Sequence, residues 1–425
     1  MAAPPPKKQG TTNTYRPPKN TRAIVLRCAL AAVVGTLLFF LVRPFFIDIA
    51  PPRPSETPET SAPAETEEPS EPPTPTPEEV PIVRYGGVVE QLFFNQVIAY
   101  PALAFDGDKY EADFDRYKLT ADEFKRILQS LYDNNYILVN MNDVWAEERN
   151  PAGEYRMVRA ALMVPKDKKP VVLSFDDINY YDSERANGLM QKLIIGRDGE
   201  IWSYGKGPDG NDVVTQDLDA IAILDKFCRE HPDFSLNGAR GCISLTGYQG
   251  VLGYRTNTST TDLSPEFEEA RQKEIAAVRP VITKLKAEGW YFACHTYAHS
   301  ALSKTKLEAA SADLDRWMRE VAPLTGSTQI VTYPMYNRLD GKDTGTPGEC
   351  FLYYQSQGFR IFCADGKEAF SKLKESVSAV TVDRMLCGGL TLRNQRERYS
   401  RFYDAKEIWD DTRPLGVRGF TRAWE

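Results

Sequence analysis

Beyond residue 82 the chain alternates between two spacings of apolar side chains. Phe124, Ile127, Leu128 and Leu131 recur at helical spacing behind a Thr120/Glu123 capping box, which predicts a helix through Tyr132. The short run Tyr136–Val139 then reads as a strand, and Val171–Phe175, bounded by polar residues, as a buried strand. Leu218, Ile221, Leu224 and Phe227 stripe a helix over Asp217–Arg229, followed by a strand at Gly241–Leu245. A long helix spans Ser264–Glu288, opened by Ser264-Pro265 and stopped by Gly289. Further pairs follow: strand Trp290–Ala293, helix Lys306–Val321, strand Gln329–Tyr333, helix Gly348–Gln357 and strand Phe359–Cys363. Strand and helix in regular alternation predict parallel pairing with helices outside, a barrel-like α/β fold of about six or seven strands. Residues 196–216, rich in Gly and Asp, read as an inserted loop or hairpin. That stretch and Gly247–Thr261 are candidate rims of a cleft, or simply solvated loops.

The first 81 residues follow a different pattern. Ile24–Val42 is apolar on all sides except for Arg27. Nineteen helical residues reach about 28 Å, the thickness of a bilayer core, and Arg27 lies close enough to the end to snorkel. No cleavage site with small residues follows, since Ala50 precedes Pro51 and Pro52, so a retained anchor is the better reading than a signal peptide. Residues 1–42 hold Lys7, Lys8, Arg16, Lys19, Arg22 and Arg27 and no acid, which places the N-terminus in the cytoplasm and the rest outside the cell. The expected organisation is a basic tail at 1–23, a transmembrane helix at 24–42, a linker at 43–81 and one domain at 82–425. The linker is dominated by Pro, Glu and Thr, cannot bury a core, and would reach up to ~100 Å if extended.

With those six cations removed, 46 basic residues face 59 acidic ones, a formal net of −13. That surface excludes ordinary nucleic-acid binding, which needs a basic face. Six of the seven cysteines fall in the domain, and none shows the paired spacing of a structural zinc site. A domain of this size needs no disulfides, so free buried thiols are expected.

Two motifs carry candidate chemistry. Ser174–Asp177 (SFDD) ends one apolar strand, and His295–His299 (HTYAH) follows another. Barrels of this class place their active sites at those strand ends. Adjacent aspartates after a buried strand are costly unless paired or bound to a cation, although such a pair can also cap a helix. Histidines four apart on one face of a helical turn can share a metal. One carboxylate and two imidazoles leave positions open for water and substrate, the design of a catalytic centre. Carboxylate and imidazole ligands accept several divalent ions. Glycine-rich nucleotide loops and a Gly-x-Ser-x-Gly elbow are both absent from the sequence.

These motifs resemble those of the polysaccharide deacetylases, the NodB-homology domain of carbohydrate esterase family four, over roughly residues 90–394. SFDD is similar to the family's TFDD, and HTYAH fits its H-[ST]-x-x-H. The resemblance implies a distorted seven-stranded (β/α) barrel that hydrolyses N-acetyl groups on a cell-wall or extracellular glycan. It implies Asp176 as catalytic base and Asp177, His295 and His299 as ligands of a divalent metal, with zinc the expected ion. It also implies that the turn Thr332–Tyr336 corresponds to the family's R-x-P-[YF]-G, with Tyr333, Pro334 and Met335 at the oxyanion and substrate side. The chain departs from the family twice. Thr332 stands where an arginine orients the catalytic aspartate, and Leu392-Arg393-Asn394 replaces the Leu-x-His that supplies the acid. Asparagine cannot act as an acid. His231, the third histidine, is expected at the opposite face of the barrel. Two substitutes are open: Asp176 serving as both base and acid, or Asp365 in the strand-end sequence CADG. A glycan-binding protein that keeps the metal cleft but lacks proton delivery is the alternative function.

Overall fold

The alternating apolar runs pair as parallel strands that close on themselves. The computed structural model describes residues 80–336, 338–339, 348–374 and 378–414. The tail at 1–23, the span at 24–42 and all but the last residues of the linker lie outside the described residues. Among those described, no helix is long and apolar enough to cross a membrane.

Seven strands form the barrel: β1 (Glu90–Asn95), β2 (Lys169–Asp176), β3 (Cys242–Leu245), β4 (Tyr291–Cys294), β5 (Ile330–Thr332), β6 (Ile361–Asp365) and β7 (Ala379–Leu386). Each pairs in parallel with the next in sequence. The ring closes where Met385 and Leu386 of β7 align with Leu92 and Phe93 of β1. A short strand, Tyr136–Leu138, adds to the N-terminal half of β2. Phe175, Ile243, Val331 and Phe362 are fully buried in this barrel.

Helices α1 (Ala121–Asp133), α2 (Ala220–Glu230), α3 (Pro265–Ala287), α4 (Leu307–Glu320) and α5 (Glu349–Ser356) fill successive crossovers. The predicted boundaries hold to within a few residues. Thr120 and Glu123 form the expected capping box on α1, and Ser264 caps α3. Glu123 also receives a buried guanidinium, since Arg413 donates to both of its oxygens at 2.6 Å. That pair ties the C-terminal segment to the barrel. Between β6 and β7 there is no helix among the described residues. The strand Phe370–Lys374 runs antiparallel to β7 instead, so the barrel is irregular there.

The insertion at 196–216 holds the expected hairpin, and a third strand just before it joins the pair. Lys192–Ile195, Ile201–Lys206 and Asp212–Thr215 form a three-stranded antiparallel sheet. Leu193 and Ile201 are fully buried and join the main core, which explains why the segment folds rather than remaining solvated. All six domain cysteines are free and buried, as expected.

Candidate active site

Strand ends on the C-terminal side of the barrel surround one cleft of about 480 Å³. Asp176, Asp177, His295, His299, Tyr333, Met335 and Asp365 all line it. Residues as far apart in sequence as Asp176 and Asp365 therefore converge. None of residues 196–216 and none of Gly247–Thr261 lines the cleft.

Asp176 is the last residue of β2 and is 4% exposed. Arg384 of β7 holds it by two parallel bonds, Nη1 to Oδ1 and Nη2 to Oδ2, each 2.8 Å. The same guanidinium donates to Ser174 Oγ at 3.0 Å and lies over the Phe93 ring, 4.5 Å from its centre. Burial opposes the charge on Asp176, but Arg384 and His295 outweigh it and keep the carboxyl below its usual range. The expectation that Asp176 lacks an arginine, drawn from Thr332, is therefore corrected. The partner comes from a different strand, two positions along in the barrel from β5. A two-pronged guanidinium on a buried carboxylate fixes orientation as well as charge.

Asp177 sits beside the two histidines. Its Oδ2 lies 3.3 Å from His299 Nε2 and 3.9 Å from His295 Nε2. Burial pushes its pKa up, but the two imidazoles reverse this and leave the carboxyl well below the ordinary range. Tyr181 donates to Asp177 Oδ1 at 2.8 Å and so fixes the other oxygen. Behind His295, Nδ1 lies 3.0 Å from the Thr332 carbonyl and 2.8 Å from its Oγ1. A carbonyl only accepts, so Nδ1 carries the proton and Nε2 presents its lone pair to the cleft.

The two histidines do not lie on a helical turn. Residues 295–299 form an irregular loop, with Thr296 at φ 59° and His299 at φ 53°. Asp177 and Met335 share this left-handed conformation, at φ 59° and 55°. Such backbone costs on the order of 1–3 kcal/mol per residue and persists only where neighbours enforce it. Asp313 of α4 does so here. Its carboxylate accepts from Tyr297 N at 2.6 Å, Ala298 N at 2.9 Å and Ser300 Oγ at 3.0 Å.

The donor set suits a divalent metal. Asp177, His295 and His299 each offer one ligand atom, all within 4.8 Å of one another. One carboxylate oxygen and two imidazole nitrogens match the preferences of zinc and its neighbours. A second acidic group, Glu200, Asp225 and Glu288, meets the same distance criterion. Arg229, Arg240 and Lys284 neutralise it, so it is an ion-pair network.

Asp365, at the end of β6, is a further carboxyl in the cleft, which Asp113 also lines. Its Oδ1 is buried without a hydrogen-bond partner and lies 3.7 Å from Arg384 Nη2. Burial raises its pKa to about 7, with Asp176 and Asp383 adding to the shift and Arg384 and Arg338 opposing it. Tyr333 is 1% exposed and forms the wall, Pro334 is buried beside it, and Met335 projects at the lip. Asn394 is exposed and absent from the cleft lining. His231 caps the far end of α2, packed between Phe227 and Tyr132, away from the site.

No family model and no curated protein sequence matches the chain. Solved structures do. The deacetylase PplD of Streptococcus pyogenes, in complex with acetate, is similar at a TM-score of 0.38 and 14% identity, over 71% of this chain and 93% of that one. BC0361, a polysaccharide deacetylase of Bacillus cereus, is similar at 0.38 and 11%, over 76% and 69%. IcaB of Ammonifex degensii is similar at 0.35 and 13%, over 71% and 92%. At these scores the likeness decides nothing, and fold and site stand on their own geometry.

Proposed function

We propose that this chain is a metal-dependent hydrolase that removes N-acetyl groups from a cell-wall or extracellular polysaccharide of the N-acetylglucosamine type. In this reading residues 24–42 anchor it in the membrane and the linker carries the domain outward. One observation supports it above others: an arginine-held, ionised Asp176 beside three convergent metal donors in an open cleft. A divalent ion held by Asp177, His295 and His299 supplies electrophilic polarisation of an amide carbonyl and acidifies water.

The protein's own groups do the rest. Asp176, ionised and fixed by Arg384, accepts the proton of the attacking water. The backbone N–H of Met335 stands on the oxyanion side, a role that tolerates a changed side chain. Asp365 delivers a proton to the leaving nitrogen. Burial raises this carboxyl from the ordinary carboxylate range to about 7, which suits a general acid. Asp365 is preferred over a dual role for Asp176, because Arg384 disfavours a proton on Asp176.

Acetate release from N-acetylglucosamine oligomers and from peptidoglycan tests this reading, with Asp176→Asn and Asp365→Asn alongside. Acetate from the wild type, abolished in the first variant and reduced on the order of 10²–10⁴-fold in the second, is the expected result. A metal-loaded protein that releases none from either substrate sinks the hydrolase reading in favour of a glycan-binding protein.

A further inference from the structure

A second cavity of about 400 Å³ adjoins the cleft and shares Tyr117, Asp365 and Leu386 with it. The two differ in charge. The cleft is lined by Asp113, Asp176, Asp177 and Asp365, and its lysine, Lys118, is already paired with Glu184 at 2.7 Å. The second cavity brings together Arg116, Lys367 and Arg398, and Asp365 at the junction is the one carboxylate in its lining among the described residues. Three cations gathered in one pocket run against a chain whose net charge beyond residue 42 is −13.

The geometry is that of an extended site. Tyr117 lines both spaces, with the Arg116 guanidinium 5.7 Å from its ring centre. An aromatic face offers the apolar side of a sugar ring a surface, and a polar handle beside it. Arg398 is oriented by its bond to Gln395 Oε1, and Tyr399 below it is pinned by its bond to the Leu386 carbonyl. Lys367 follows Asp365 by two residues, is exposed and lines the cavity. Leu386 and Leu390 supply apolar floor.

We propose that this cavity is a subsite for an anionic substituent, carboxylate or phosphate, on the sugar next to the one that enters the cleft. The proposal rests on the deacetylase reading of the cleft and names its substrate class: an acidic glycan. Cationic side chains at a pocket mouth raise the local concentration of such a chain and bind its charge by charge-assisted hydrogen bonds, an interaction weakened by salt.

The test uses the full zinc-loaded chain and three probes of equal length. These are a neutral N-acetylglucosamine oligomer, the same backbone with lactyl-ether carboxylates on alternate sugars, and the same backbone with phosphate monoesters. Acetate release and calorimetric binding are read for the wild type and for the Lys367→Gln/Arg398→Gln double variant. The expected result is a preference for one charged probe over the neutral one. That preference, as a ratio of kcat/KM, falls about tenfold in the double variant, mainly through KM, and falls with added salt. The charged probe that shows it identifies carboxylate or phosphate as the source. Equal kcat/KM for charged and neutral probes, or a preference that survives in the double variant, overturns the subsite. If no probe yields acetate, the hydrolase reading fails, and the binding ratio of charged to neutral probe decides the subsite alone.

Discussion

Replacing Arg384 by methionine isolates the contact that organises the site. Arg384 is 1% exposed at its side chain and Asp176 5%, and two 2.8 Å bonds join them. Methionine fills much of the volume but leaves a buried carboxylate with no guanidinium. Breaking a pair of this kind by removing one partner costs about 3–5 kcal/mol, because the surviving charge has lost both its partner and its water. Asp176 then responds. Burial, the largest influence on it, then acts against only His295 and a hydrogen bond from Ser244, so its pKa rises and the ionised base is depleted. We expect Arg384→Met to unfold in urea with a stability lower by about 3–5 kcal/mol, measured on metal-free protein so that metal binding does not mask the loss. Acetate release should fall on the order of 10²–10⁴-fold in the metal-loaded enzyme. Asp176→Asn leaves the opposite orphan, a buried guanidinium. The double variant has neither charge, so its loss should be smaller than the sum of the two by about 2–3 kcal/mol. Single losses that simply add, or an Arg384→Met penalty under about 1 kcal/mol, would refute the claim that this pair positions the base.

Three further outcomes follow from other contacts. If Asp365 donates the proton, kcat falls as pH rises through about 7, where its carboxyl ionises, and Asp365→Asn removes that alkaline limb; a pH–rate profile whose limb survives the substitution rules Asp365 out. Asp313→Ala touches no metal donor but deletes the three bonds that hold the histidine loop, so metal affinity should drop about 10–100-fold; competition against a chromogenic chelator measures this, and an unchanged dissociation constant contradicts it. Asp219 caps α2 from a site 1% exposed, with Tyr180 donating to it at 2.9 Å, and burial raises its pKa to about 6. Its folded pKa is above the unfolded value of about 3.9, so the folded state binds the proton more tightly, and stability is lost as pH rises from about 4 through about 6. Asp219→Asn keeps an acceptor for the helix cap without the charge. It should be more stable than wild type at pH 7 by about 1–3 kcal/mol and lack that pH dependence, as read by urea unfolding at pH 4, 5, 6 and 7.

Periodicity made the helices and most barrel strands legible, because a buried parallel strand is an unbroken apolar run and a covering helix carries a stripe. Two barrel strands escaped. Glu90–Asn95 is short with polar ends, and Ala379–Leu386 carries Asp383 and Arg384 in its middle although all eight of its residues are buried. Charge inside a strand erases the apolar signal, and here the charge is the functional part. The hairpin within 196–216 was legible from its Gly and Asp turn residues, but the third strand, Lys192–Ile195, lies outside that segment, and its Leu193 joins Ile201 in the core.

The candidate site divides the same way. Adjacent aspartates and paired histidines are local patterns, visible without a fold. What holds them is not local. Arg384 meets Asp176 across a separation of 208 residues, and it can do so because β7 closes the ring against β1, beside β2. Comparing Thr332 with an arginine position suggested an unsupported base; closure of the barrel brings another arginine to the same carboxylate. A ring of seven strands gives any inward position several routes to a neighbouring strand end. The requirement on this site is therefore a guanidinium at one point in space, and the strand that supplies it is free to change. The histidine loop obeys the same rule, since its left-handed turns are stabilised by Asp313, from the helix after it, rather than by its own sequence.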